Sequence, residues 1–225
     1  MTSSTSVPLA PPVPRRRTAL AVALAVAAFG LAGCATPLVT QGAATGPALD
    51  SSAGPEVVQS HVYVTGYTYF DNTPAGRTIS APVLHSTAEG AGTYEDPVTL
   101  AVGHVLNGDQ DILDYPQGTR FYIPSLERYF IVEDTCGDGA KPQNGPCHRL
   151  NAPGDSAPKG ATAWIDVWLD GQAQGEQAVN ACAAALTGLH TVVIRPAAGY
   201  RVAGGHGVLH DGRCDVGRGE IPVKG

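Results

Sequence analysis

Apolar and β-branched residues along this chain come in short runs separated by Gly, Pro and polar turns, a pattern that predicts strands. The first run, His61-Val62-Tyr63-Val64-Thr65-Gly66-Tyr67-Thr68-Tyr69-Phe70, is dense in β-branched and aromatic side chains. Val98 to Val102 predicts a second, apolar strand. Thr119 to Ile123 predicts a third, stopped by Pro124, and Tyr129 to Val132 a fourth after a turn. Trp164 to Leu169 alternates, so Trp164, Asp166 and Trp168 share one face and Ile165, Val167 and Leu169 the other. Leu189 to Ile194 predicts a further strand before Pro196. A single segment, Gly175 to Leu186, has the Ala-rich composition of a helix, with Gly188 placed to cap its C-terminus. Many short strands and one helix predict a mainly β fold, a small closed barrel over residues 61–225.

The N-terminal third follows a different logic. Arg15-Arg16-Arg17 precede an apolar run from Thr18 to Gly30, too short to span a bilayer comfortably, and Leu31-Ala32-Gly33-Cys34 follows. This order predicts a lipoprotein signal over residues 1–33, cleavage before Cys34 and lipid attachment to its sulfur. Residues 34–60, rich in Ala, Thr, Gly, Ser and Pro, read as a flexible linker. As a coil the linker spans roughly 25–30 Å, so the expected setting is extracytoplasmic, with the domain held just off the membrane by the lipid.

Charge narrows the partners. Without residues 1–33 the chain carries 11 Lys and Arg against 20 acidic residues, a formal net charge of −9. Nucleic acid is therefore not an expected partner, because phosphate binding needs a basic surface. The same charge leaves membrane attachment to the lipid at Cys34. A monomer is expected.

Beyond Cys34 stand four cysteines, Cys136, Cys147, Cys182 and Cys214. An even count in an exported chain predicts two disulfides, and three pairings are open. Cys136–Cys147 with Cys182–Cys214 is preferred, because the first pair brackets a loop rich in Gly, Pro and Asn. No metal or other cofactor is expected: the chain has no Cys-x-x-Cys, and His206 and His210 sit among glycines that disfavour a helix.

Three stretches, in order, carry a family resemblance: Val64-Thr65-Gly66-Tyr67, then Gly118-Thr119-Arg120-Phe121-Tyr122-Ile123-Pro124, then Val132-Glu133-Asp134-Thr135-Cys136-Gly137 with Ile165-Asp166-Val167 downstream. The order resembles the double-psi β-barrel of the three-aspartate (3D) domain found in membrane-bound lytic transglycosylase A. It is more loosely similar to rare lipoprotein A, expansins and family 45 endoglucanases. The resemblance covers about residues 60–170 and implies a six-stranded barrel that engages cell-wall glycan. Three departures stand out: Cys136 replaces the first glycine after Asp134-Thr135, an insertion of about 25 residues follows, and Gly103-His104 stands where the family's earliest aspartate is expected, near Ala101-Val102. Asp111 and Asp114 are the nearest substitutes.

Asp166 and Asp134 are the candidate catalytic residues. Glycosidic cleavage needs a proton on the leaving oxygen, and a second carboxylate can stabilise the oxocarbenium-like transition state or activate water. In a lytic transglycosylase, the resemblance implies, the acid turns base and helps the sugar's own 6-hydroxyl attack. The competing reading is structural: Asp134-Thr135 also makes a good turn, its side chain accepting backbone N–H groups. Tyr67, Trp164 and Trp168 are candidates for substrate binding, since sugar C–H faces stack on aromatic rings. Core packing is their alternative. A non-catalytic, expansin-like glycan-binding module and an envelope protein-interaction domain are the two further readings of the whole.

Overall fold

The computed structural model describes residues 54–137, 139–148, 150 and 157–225. The signal segment, Cys34 and most of the linker lie outside the described residues. Nine strands are present: β1 (Val57–Thr68), β2 (Val98–Asn107), β3 (Gln110–Leu113), β4 (Arg120–Ile123), β5 (Arg128–Cys136), β6 (Ala163–Leu169), β7 (Gly188–Ile194), β8 (Leu209–His210) and β9 (Arg213–Cys214). One α-helix, α1 (Glu176–Leu186), and a single 3₁₀ turn, Pro142–Asn144, complete the described elements. The fold is mainly β with one helix, as the pattern predicts.

Six strands form a ring. The order β2-β5-β4-β7-β1-β6 returns to β2, because β6 also pairs with β2. Two neighbouring pairs are parallel, β1 with β6 and β2 with β5; the other ring contacts are antiparallel. Strand β3 hangs from β2 as a hairpin outside the ring. Inward positions alternate along each strand and fill one core: Val62 and Val64, Leu100 and Val102, Phe121 and Ile123, Phe130 and Val132, Ile165 and Val167, Val192 and Ile194. Closing the ring leaves these six strands no free edge except where β3 adds on.

The helix packs Val179, Cys182 and Leu186 onto the same core. Gly66 makes that contact possible, since a Cβ there would lie 2.9 Å from Leu169 Cδ1 and 3.2 Å from Leu186 Cδ2. Thr187, in extended conformation, closes the helix, and Gly188 already begins β7. The C-cap expected of Gly188 is thus corrected: the chain leaves the helix straight into a strand and needs no left-handed residue. Strand β1 begins at Val57, so the end of the expected linker pairs with β7. Strands β2 and β5 also run past their apolar stretches, to Asn107 and Cys136.

Both preferred disulfides are present, Cys136–Cys147 and Cys182–Cys214. The second joins the helix to the tail across 32 residues; loop-closure entropy gives such a bridge about 3–4 kcal/mol. Disulfides persist in oxidising compartments, which suggests an extracellular location. No helix among the described residues is long and apolar enough to cross a membrane.

The tail is anchored by Arg128, whose side chain is fully buried. It donates to the carbonyls of Ala203 and Gly204 and pairs with Asp215 at 2.9 Å. Asp215 also accepts from His210 and Arg218. Burial opposes the Asp215 charge, yet those partners hold its carboxyl below the usual carboxylate range.

Candidate functional site

Strand β2 brings the two aspartates together. Ala101 is paired with Asp134 of β5 on one side and with Asp166 of β6 on the other. One strand thus separates the acids, a Cα separation on the order of 10 Å. Both face the outside of the ring. For Asp166 this follows from simple alternation, because Ile165 and Val167 point inward. For Asp134 it does not. Val132 is inward, so an unbroken strand would turn Asp134 inward as well. The register instead shifts between Leu100 and Ala101, where Glu133 is the extra residue on β5. This bulge re-aims Asp134 to the outer face.

Strand β1 supplies the polar partners. Its parallel register with β6 sets Tyr63 beside Trp164, Thr65 beside Asp166 and Tyr67 beside Trp168. The Trp164 indole N–H donates to Thr65 Oγ1 at 2.8 Å, and the Thr65 hydroxyl donates to Asp166 Oδ1 at 2.8 Å. The single Thr65 proton is thereby aimed at the carboxyl. Among the described residues no donor reaches Asp166 Oδ2. Asp166 is partly buried, and burial pushes its carboxyl up to about 7. The Thr65 hydrogen bond opposes that rise, while the charges of Asp71 and Asp134 add to it.

Asp134 is held quite differently. Only 7% exposed, it accepts from Ser80 N–H, Ser80 Oγ and Thr135 N–H on Oδ1, and from the Tyr67 hydroxyl on Oδ2 at 3.0 Å. Burial raises its carboxyl, and these donors work against the rise. Burial, with the Asp134 charge, keeps the Tyr67 phenol protonated well above its ordinary value. Asp134 therefore fixes the Tyr67 hydroxyl and the Ser80 loop, whereas Asp166, raised to about 7, has one oxygen that no donor reaches among the described residues.

The aromatic platform is corrected by burial. Trp164 is 8% exposed and Trp168 only 3%. Tyr63 packs edge-on against Trp164 at 5.0 Å, and Tyr67 against Trp168 at 5.2 Å. Neither indole offers an open face, because the Tyr63 and Tyr67 rings stand against them and the Cys136–Cys147 cluster packs on Trp164. Trp164 acts on the site through Thr65, and of the three candidate aromatics Tyr67 is the partly exposed one.

Sequence reasoning missed Thr65, Ser80 and Glu133. Thr65 lies inside a quoted motif, and its register with Asp166 was the missing signal; Ser80 sits in an irregular loop with no pattern of its own. Asp111 and Asp114, the candidate substitutes for a third acid, lie on the β2–β3 hairpin and just after it. Asp111 accepts from His104 at 2.7 Å, and Asp114 stands 3.5 Å from His148. An added Cβ on Gly103 would fall 2.4 Å from Asp114 Oδ2, so Asp114 lies against the middle of β2, two residues along from the Ala101 that separates Asp134 and Asp166. His206 is exposed, whereas His210 is buried against Asp215. Among the described residues no group of three or more His, Cys, Asp or Glu is placed to hold a metal ion.

The chain is similar to the uncharacterized protein DDB_G0273701/DDB_G0273221 of Dictyostelium discoideum, with 36% identity over 73 residues. That match covers 32% of this chain and 29% of the relative's length. No solved structure matches the chain. The DDB_G0273701 N-terminal domain matches residues 59–215, from the third residue of β1 to just beyond β9, so both aspartates and all of the ring but the first two residues of β1 fall within it. By that extent of agreement, the chain belongs to the DDB_G0273701 N-terminal domain family.

Proposed function

We propose that this chain is a lipid-anchored, cell-wall-facing double-psi β-barrel that binds peptidoglycan or a related glycan and cleaves it as a lytic transglycosylase does, with Asp166 as acid and then base. The closed six-strand ring with two parallel pairs supports the barrel type. The disulfides support an extracytoplasmic setting, and the Leu31-Ala32-Gly33-Cys34 signal supports the anchor at Cys34. One observation carries the chemistry: Thr65 aims the Asp166 carboxyl, burial raises it to about 7, and no donor among the described residues reaches Oδ2.

A carboxyl with that proton affinity can protonate a glycosidic oxygen at neutral pH and take a proton back afterwards. Asp134 has its oxygens engaged by four donors and is poorly suited to activate water. That favours attack by the sugar's own 6-hydroxyl over hydrolysis by a carboxylate pair. The partly exposed Tyr67 ring, locked by Asp134, is the aromatic edge available to a sugar.

The test is incubation of the protein with purified peptidoglycan. Wild type should release soluble fragments with anhydro ends, and Asp166→Asn should reduce release at least 100-fold without lowering the melting temperature. Fragments with reducing ends would replace transglycosylation by hydrolysis. The committed oxygens of Asp134 also favour a second reading, a non-catalytic expansin-like binding module. Under it neither protein releases fragments, and both are pulled down on insoluble wall. If neither release nor pull-down occurs, the glycan reading falls and an envelope-protein partner takes its place.

A further inference from the structure

Among the described residues eight large apolar side chains are exposed, and four of them, Val57, Val58, Ile221 and Val223, lie on two segments that run together. The first segment is the start of β1, where Val58 is paired with Val193 of β7. The second is the tail over residues 220–224, pinned to β7 at one end and to Tyr200 at the other. At the first pin Glu220 accepts the Thr191 N–H. At the second, Lys224 Nζ stands 3.4 Å from the centre of the Tyr200 ring. Tyr200 shares a packed cluster with Val193 and donates its hydroxyl to Glu56, two residues before Val58. The four side chains therefore gather over the outer face of β7 and the start of β1. Single exposed aliphatics are ordinary; a group of them marks a contact surface.

Three observations identify what it contacts. The chain enters the domain at this corner: Gly54 lies against Arg195, whose Nε donates to the Pro55 carbonyl at 3.0 Å. Residues 35–53 join that corner to Cys34, and as a coil they reach roughly 25 Å. A lipid on Cys34 thus holds the patch near the bilayer at an effective concentration of about 1 mM, where a weak apolar contact suffices. Charge around the patch is balanced. Arg195, Arg201 and Lys224 are matched in number by Glu56, Glu127 and Glu220, so the acidic surplus of the chain lies elsewhere and does not repel a bilayer here. The ring order supplies the third. Strand β7 is three steps from β2 in either direction, directly across the ring. A domain lying on β7 turns Ala101, Asp134 and Asp166 away from the bilayer.

We propose that this aliphatic patch docks on the phospholipid bilayer to which Cys34 is tethered, an inference that rests on the lipid-anchor reading.

Cys34 is the one cysteine outside the two disulfides. The chain from Cys34 onward can therefore be coupled through that thiol to a maleimide headgroup in phosphatidylcholine nanodiscs carrying a gadolinium-chelate lipid. Methyl NMR then reads the distance of each side chain from the bilayer. The Val58, Ile221 and Val223 signals should broaden at least fivefold more than those of Leu106 and Ile112, which are exposed on the β2–β3 hairpin. Val58→Ser with Ile221→Ser, at two exposed positions, should cut that contrast below twofold without lowering the melting temperature. Equal broadening of the two groups, stronger broadening on the hairpin, or a contrast that survives the double variant would each overturn the proposal. The mass of the chain extracted from its own membranes reports lipidation separately. An unmodified Cys34 would remove the anchor and the proposal with it; a lipidated Cys34 with equal broadening would overturn the docking face alone.

Discussion

Asp166→Asn is expected to stabilise the protein at pH 8 and to leave it nearly unchanged at pH 4. The Asp166 carboxyl moves from an ordinary value of 3.8 to about 7 on folding. The folded state therefore keeps a proton that the unfolded chain releases. Stability from this group is full at acid pH and is lost as pH rises from about 4 to about 7. A rise of that size corresponds to about 4 kcal/mol at the limit. Asp166 is partly exposed, and solvent screening brings a realistic figure to roughly 1–2 kcal/mol. Asparagine removes the charge and keeps an oxygen for the Thr65 hydroxyl. The gain at pH 8 should raise the melting temperature by about 3–6 °C, read by calorimetry across pH 4–8. Asp134→Asn should cost stability instead near neutral pH. Its two oxygens accept four hydrogen bonds, and an amide nitrogen cannot accept; a loss of about 1–3 kcal/mol follows. Equal pH profiles for wild type and Asp166→Asn would remove the protonated acid on which the proposed chemistry rests.

That contrast between two aspartates shows what the chain discloses directly. Alternation along Trp164 to Leu169 reveals the Asp166 face, because β6 is regular and its inward residues are all large and apolar. Asp134 sits beside an equally legible apolar run, yet its direction depends on the register shift at Glu133, set by pairing with a strand some thirty residues away. No local pattern announces it. Partners such as Thr65 and Ser80 are equally silent, since short hydroxyl residues are common on strands and in turns alike. Alternation sets both tryptophans on the face of Asp166, but it does not convey that Tyr63, Tyr67 and the disulfide loop cover them. The cysteine pairing was legible because a loop rich in Gly, Pro and Asn joins the first pair and the predicted helix contains Cys182.

The bulged residue itself has the largest expected effect on stability. Glu133 is fully buried. It accepts the backbone N–H groups of Val83, Leu84 and His85, the His85 ring at 2.7 Å and the Thr99 hydroxyl. The other His85 ring nitrogen meets Asp96 at 2.9 Å. Burial works against a charged His85, but the two carboxylates outweigh it and raise the imidazole above its ordinary value. Both ring nitrogens then donate, and one buried carboxylate organises the whole connection that carries Ser80 to Asp134. Glu133→Ala would strand three N–H groups and a cation, at a cost of about 3–5 kcal/mol by denaturant unfolding. Amide exchange should quicken across residues 80–97 ahead of the ring strands. Glu133→Gln keeps the shape and one acceptor, so it should recover part of that loss while His85 turns neutral. The sign of the pH dependence separates the two roles of Glu133. With a raised histidine, the ion-pair contribution is present below the ordinary value of 6.5 and is lost as pH rises through the higher folded value. Wild type should therefore lose stability over that interval relative to Glu133→Gln, and His85 in Glu133→Gln should titrate at lower pH by NMR. A Glu133→Gln protein whose His85 titrates as in wild type would show that Asp96 alone holds the imidazolium, and the connection would then owe its order to the backbone hydrogen bonds.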